Sequence, residues 1–462
     1  MAVYIIIAIF IIGLLLIATE NVNRINKAAV AMFMGVCCWL LYIGYGTEFI
    51  IAEHPIDFLS YLTNNTLSTH SVKDFIANLV FLPYVANAAG LVLFLIGTMT
   101  IVEVLNNNGC FDFIQEWLRT RDSRRFTWTL AGITFLLSAN LDNLTTVCMM
   151  LAIMHTMIAN ERQRMILGAV IVLAANCGGA FTVIGDVTSL TLWTSGLVTP
   201  TAYARTLLLP CLVALVTTLV LISRKLPARL EWARTAPRYR GDDTLLTRSQ
   251  RFLMLLVGIG GLWFIPTFHR ITQLPPFLGA LCVLSLLWIV NELCNRSLMK
   301  SDKMIRKRLP IALQYINIQN ILFIIGITLT FGAINETGLL ERFFNWSLSS
   351  LNNIYIIGAF MGFLSGVFNN IAIIIANISF FSQDLVYGHT ELTQNFGQDG
   401  VFWPLLSYST ALGGSLLSIG TMAGFALMKM ENVTLRWYVR HISGKILAGW
   451  AVGAVILYFV TT

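Results

Sequence analysis

Two polar stretches interrupt an otherwise apolar chain, and each sets an aspartate among oxygen-bearing neighbours. The first is Ser138-Ala-Asn-Leu-Asp-Asn-Leu-Thr-Thr146, flanked by the apolar runs 126–137 and 147–158. A carboxylate at membrane depth is costly unless it is protonated or paired with a cation. Burial favours the neutral acid and a bound cation favours the charged one, so a proton and Na⁺ would compete for Asp142. Asn140, Asn143, Thr145 and Thr146 add hard oxygen ligands of the type a small alkali cation takes. The same residue types also cap helix ends, and the two roles are compatible.

The second stretch is Asn176-Cys-Gly-Gly-Ala-Phe-Thr-Val-Ile-Gly-Asp-Val-Thr-Ser189. Gly178, Gly179 and Gly185 in the middle of a long span predict an unwound segment with free carbonyls and a fresh helix start. Such a break is a usual place for ion coordination in a transporter. Asp186, Thr188 and Ser189 then open the second half-helix, with Asp186 suited to its N-cap.

The chain repeats this plan without the acids. Leu137-Ser-Ala-Asn-Leu-Asp-Asn143 matches Leu364-Ser-Gly-Val-Phe-Asn-Asn370, and Gly178-Gly-Ala-Phe-Thr-Val-Ile-Gly-Asp186 matches Gly413-Gly-Ser-Leu-Leu-Ser-Ile-Gly-Thr421. Upstream of these, Phe94-Leu-Ile-Gly97 followed by Gly109 matches Phe323-Ile-Ile-Gly326 followed by Gly338. Three matches in the same order at nearly constant offset describe an internal repeat. Asn369 stands where Asp142 does, and Thr421 where Asp186 does. Ser365, Asn369, Asn370, Ser418 and Thr421 would supply neutral oxygens or align the backbone, so fixed negative charge in the site comes from the first half.

The elements that must position these residues are membrane spans. Apolar types make up 56% of the 462 residues and charged types only 11%, and the mean hydropathy is +0.74. A soluble surface needs about 25% charged residues, so most of this chain meets lipid. Runs long enough to cross about 30 Å of hydrocarbon fall near 2–19, 28–52, 76–104, 203–222, 252–268, 277–293, 311–334 and 443–461. The glycine-broken stretches 163–197 and 401–428 complete ten crossings. The run 2–19 lacks the basic leader and cleavage site of a secretory signal and is expected to remain as a span.

The net charge of +7 follows topology, not nucleic acid. All Lys and Arg except Lys73, Arg205, Arg270 and Arg342 gather in alternate loops. By the positive-inside rule those loops are cytoplasmic, and both termini are periplasmic. Stretches 126–158 and 353–383 then start and end on one side, as re-entrant hairpins do, and the corresponding spans of the two halves run in opposite directions. The expected fold is an all-α polytopic membrane protein: an inverted-topology repeat with two re-entrant hairpins and two discontinuous transmembrane helices. Its parts are an N-terminal helix (1–27), a first repeat (28–223), a basic cytoplasmic loop (224–251), a linking helix (252–276) and a second repeat (277–462). The eight cysteines form no C-x-x-C pair, so neither a zinc site nor a disulfide frame is expected. No H-E-x-x-H or G-x-S-x-G motif suggests a membrane-embedded enzyme.

At FLIGTMTIVEVL, SANLDNLTT, NCGGAFTVIGDVTSLTLW, GFLSGVFNN, GGSLLSIGTMAGFALMKM and RWYVRHISGKILAGW the sequence resembles the NhaD-type sodium/proton antiporters of the ion transporter superfamily, which includes arsenite permeases and dicarboxylate carriers. The resemblance runs from about residue 90 to the C-terminus. It implies exchange of Na⁺ or Li⁺ for H⁺ in a bacterial inner membrane, no cofactor, a homodimer and an elevator-like motion. By motif position it carries site roles to Asn140, Asp142, Asn143, Thr145, Thr146, Asn176, Asp186 and Thr188. The chain departs from the family at Asn369-Asn370, where an Asp-Asn pair is expected, and at Val183, where proline is usual. The alternative is a sodium-coupled symporter of a carboxylate or other small anion. Its relatives place Ser-Asn-Thr at both hairpin tips, where this chain reads Ser-Ala-Asn and Ser-Gly-Val.

Overall fold

The computed structural model describes residues 2–63, 66–233, 246–296, 317–339, 353–381 and 395–461. Outside them lie the middle of the predicted basic loop 224–251, the basic cluster beyond Arg296, the end of the hairpin 353–383 and Asn64-Asn65. Among the described residues the chain is helical, and its extended pairing is confined to two isolated bridges.

Sixteen helices carry the argument: α1 (Ala2–Ala18), α2 (Lys27–Gly44), α3 (Thr69–Asn107), α4 (Ser123–Ser138), α5 (Asn143–Met157), α6 (Glu161–Ala180), α7 (Val187–Thr194), α8 (Pro200–Ser223), α9 (Arg248–Thr272), α10 (Pro276–Cys294), α11 (Ile318–Asn335), α12 (Ile354–Val367), α13 (Asn370–Phe380), α14 (Phe402–Leu417), α15 (Met422–Met430) and α16 (Leu435–Thr461). Among the described residues, nine of the predicted crossings are recovered as helices long and apolar enough to span, α14 and α15 counting as one. The tenth is α1, whose 17 residues reach about 25 Å, slightly less than the hydrocarbon core. The protein is a multi-pass membrane protein.

Both discontinuous helices break where the glycine motifs lie. Phe181–Asp186 separates α6 from α7, and Ser418–Thr421 separates α14 from α15. The stretch 126–158 forms α4, a turn at Ala139–Asp142 and α5; 353–381 forms α12, a turn at Phe368–Asn369 and α13. Local chemistry sets the starts. Asp122 caps α4 by accepting from Arg124 N and Arg125 N, and Asn160 caps α6 by accepting from Gln163 N. Proline opens α8 and α10, where its missing N–H costs nothing.

The chain divides into two compact units. One comprises Met1–Val92, Asn317–Ile357 and Ile371–Gly397. In it α2 packs against α11 with Trp39 Nε1 donating to Leu329 O at 2.9 Å, beside an aromatic cluster of Trp39, Tyr42, Phe49, Phe58 and Phe75. The other comprises Leu93–Ile316, Gly358–Asn370 and Gln398–Thr462. At its centre is α6, whose residues Leu167 to Ala180 are all buried. Small side chains there let α4, α5 and α14 close around it. All eight cysteines are free thiols.

Candidate functional site

The site is assembled from helix ends within the second unit, and every candidate residue belongs to that unit. Asp142 ends the α4–α5 turn and caps α5: its Oδ2 accepts from Thr145 N at 3.2 Å and from Thr145 Oγ1 at 3.3 Å. Its Oδ1 is buried and has no hydrogen-bond partner. Asn140 Oδ1 and Thr146 Oγ1, on the same turn and the first turn of α5, are also buried without a partner. Asn140 spends its Nδ2 on Leu136 O at 2.8 Å. Unpaired buried oxygens are rare because each costs roughly 1–3 kcal/mol. Three of them, one on the carboxylate and two from its neighbours in the chain, form a donor set that a hard cation would satisfy.

Asp186 follows the break after α6 and is 4% exposed. Thr188 Oγ1 donates to its Oδ2 at 2.7 Å, and Asn370 Nδ2 reaches the same oxygen at 3.4 Å. Ser189 Oγ bonds Asp186 O at 2.9 Å, which shapes the turn. Asn176 joins the two halves: its Oδ1 accepts from Asn143 Nδ2 at 3.3 Å. Its Nδ2 donates to Ser415 Oγ at 2.7 Å and lies 3.4 Å from Thr421 Oγ1. Asn370 thus reaches the Asp186 carboxylate directly, Asn176 joins Asn143 to the second-half residues Ser415 and Thr421, and Asp142 lies within electrostatic reach of Asp186.

The second-half residues divide by role. Asn370 reaches the acid, and Asn369 is buried beside it. Thr421 caps α15 through Gly424 N at 3.1 Å. Ser365 donates to Thr410 O at 2.9 Å and Ser418 to Gly424 O at 3.0 Å, so both hydroxyls are spent on backbone.

The matching contacts recur in both halves. Ser138 Oγ donates to Ala175 O at 2.7 Å as Ser365 does to Thr410 O. A Cβ on Gly178 would strike the Phe135 carbonyl, and one on Gly413 would strike the Gly362 carbonyl. Only glycine permits those backbone approaches. Among the described residues no three His, Cys, Asp or Glu cluster as a transition-metal site would.

Sequence reasoning missed Ser415, although it falls inside the repeat, and Thr182, whose Oγ1 ties the α6–α7 break to Ala139 O at 2.6 Å. It also missed two ionic clusters. In the first unit, His54 Nε2 and Tyr84 Oη each lie 2.6 Å from a carboxylate oxygen of Glu336. In the second, Arg164 Nε and His155 Nδ1 hold Glu431 at 2.8 and 2.9 Å. His155 thus ties the end of α5 to Glu431.

Comparison with known proteins finds transporters over most of the chain. The family described as "Citrate transporter" (CitMHS) matches residues 12–384. "Sodium/proton antiporter 1" of Arabidopsis thaliana is 32% identical over 453 residues, covering 96% of this chain and 75% of the relative. "Sodium/proton antiporter 2" of the same plant is 30% identical over 447 residues, covering 96% of each. "Na(+)/H(+) antiporter NhaD" of Vibrio parahaemolyticus is 27% identical over 363 residues, covering 74% of this chain and 82% of the relative. Family and relatives are transporters, not enzymes. The chain therefore belongs to the CitMHS transporter family, in company with the NhaD-type sodium/proton antiporters of the ion transporter superfamily.

Proposed function

We propose that this protein exchanges Na⁺, or Li⁺, for H⁺ across a bacterial inner membrane, with cation and proton competing for Asp142 and Asp186. The carrying observation is the buried, unpartnered Oδ1 of Asp142, beside the equally unpartnered Asn140 Oδ1 and Thr146 Oγ1. A proton or a small cation would relieve the same cost there, so binding one displaces the other. Asn143, Asn176, Thr145, Thr188 and Ser189 hold the two acids in place. Asn369, Asn370, Ser365, Ser418 and Thr421 build the neutral side. The names of the relatives favour the same exchange.

In this reading α4–α5 and α12–α13 are re-entrant hairpins, and the halves are inverted repeats meeting near the midplane. The recurring serine and glycine contacts support that arrangement. The confinement of all site residues to one compact unit supports an elevator, in which that unit carries the ions and the other is the scaffold of a homodimer. Alternation of basic and polar loops supports cytoplasmic basic loops and periplasmic termini.

A second reading, sodium-coupled symport of a carboxylate, is favoured by the family description. Two acids at the site oppose it, because they would repel an anion unless more than one cation screened them. The test is reconstitution in liposomes with a trapped pH dye. Added Na⁺ or Li⁺ is expected to drive protons in wild type and not in Asp142→Asn or Asp186→Asn. Absence of proton movement in wild type, or movement unchanged by both variants, contradicts exchange; Na⁺-driven citrate uptake in its place establishes symport.

A further inference from the structure

The turn bearing Asp142 stands on a helix pair whose two feet are tied together by a segment far along the chain. At the entry foot, Ser123 N donates to Ala228 O and Leu230 N to Arg121 O, both at 3.2 Å. At the exit foot, Ala159 N donates to Glu231 O at 2.8 Å and Ala233 N to Met157 O at 2.9 Å. Residues 228–233 therefore cross the base of α4–α5 and bond the backbone on both sides of it. The crossing is reinforced on each side. Glu231 N donates to Gln163 Oε1 at 3.0 Å, and Trp232 packs edge-on to Phe126 with ring centroids 6.5 Å apart. Arg164 Nη1 holds Ile158 O at 3.2 Å and Ala159 O at 2.8 Å, while its Nε engages Glu431. Opening the feet would break the strap bonds on one side or the other, and Arg164 pins the exit foot to the start of α6.

We propose that residues 228–233 are a positioning strap that keeps the base of the Asp142 helix pair shut throughout the transport cycle. The pair and its strap then move as one body, and the cation enters and leaves without the feet parting. This rests on the transport reading above and deepens it, because it excludes gating at the base of this hairpin.

Disulfides test it directly. Asp122 lies opposite Arg229 and Ile158 opposite Trp232 in antiparallel bridges, each flanked by its backbone bonds. Residues so placed have Cα atoms about 4.5 Å apart, inside the span of roughly 4.4–6.8 Å that a disulfide takes. Full-length protein carrying Asp122→Cys with Arg229→Cys, or Ile158→Cys with Trp232→Cys, is reconstituted, oxidised and assayed for Na⁺-driven proton movement. The oxidised and reduced samples are expected to agree within about twofold in rate and in KM for Na⁺. A rate that falls tenfold on oxidation and returns on reduction overturns the proposal. Hydrogen exchange on the unaltered protein gives an independent reading if a cysteine pair fails to fold. The amides of Ser123, Ala159, Leu230 and Ala233 should stay protected during turnover, and their deprotection overturns the strap. Wild-type liposomes that move no protons would defeat the exchange reading instead, a distinct outcome.

Discussion

Ser138 and Ser365 each donate to a carbonyl of the neighbouring broken helix, and Gly178 and Gly413 each let that helix press against a carbonyl before the turn. Yet Asp142 and Asp186 in the first half correspond to Asn369 and Thr421 in the second. The halves share a backbone plan and differ in charge. Geometry and charge are therefore separable: the repeat builds two breaks and two turns, and the acids make only one side ionic. Asn370 Nδ2 then crosses to Asp186, so the neutral half serves the charged one.

That contrast can be broken at several strengths. Removing an acid should have the largest effect. Asp142→Asn or Asp186→Asn is expected to reduce Na⁺-driven proton flux below about 1% of wild type, because a group proposed to hold proton and cation is gone. Striking the shared backbone should affect both halves alike. Gly178→Ala and Gly413→Ala each push a methyl into a carbonyl and should cost about 1–3 kcal/mol of stability, read as a lower Tm in detergent. If only one of them destabilises, the halves do not share the packing.

Restoring symmetry should act more gently. Asn369→Asp adds a third titrating carboxylate near the first two, so exchange should persist while the apparent Na⁺ affinity depends more steeply on pH. An unchanged pH profile would place Asn369 outside the ion site.

The smallest effect belongs to the unit that carries no site residue. There the Glu336 carboxylate, bonded to the ring, raises the pKa of His54 above its usual 6.5, with Asp57 and Glu53 adding in the same direction against partial burial; Tyr84 shares Glu336. A raised folded-state value means that the stabilisation is complete below pH about 6.5 and is lost as pH rises through the higher value. His54→Gln should therefore lower Tm most in acid and converge on wild type at alkaline pH. The difference should not exceed about 1 kcal/mol, and transport should be untouched.

Much of this was legible in the sequence because membrane burial makes polar residues conspicuous. The glycine pairs foretold both helix breaks, and the polar centre at 138–146 foretold a turn between two apolar helices. Asp142 and Asp186 stood out because each sits in a segment that the repeat matches, and Asn176 because it adjoins the glycine pair of the second. The strap was not readable. Ala228-Arg-Leu-Glu-Trp232 alternates apolar and polar residues, but five residues in a basic loop name no partner, and theirs lie at Arg121–Ser123 and Met157–Ala159, far upstream. His54, Tyr84 and Glu336 escaped for the same reason, since each is an ordinary span-end residue until folding joins them. Capping roles for Ser365 and Ser418 could not be told from ligand roles by residue type, because both use the same hydroxyl.

The most direct test is the apparent Na⁺ affinity of the reconstituted protein measured from pH 6 to pH 9. Competition at a carboxylate requires the affinity to fall as the medium becomes more acidic, by as much as about tenfold per pH unit where one proton is displaced. It also requires that dependence to become shallower in Asp142→Asn, where Asp186 alone is left to exchange a proton for the cation. An affinity that stays flat across the whole range would contradict a site shared by proton and cation.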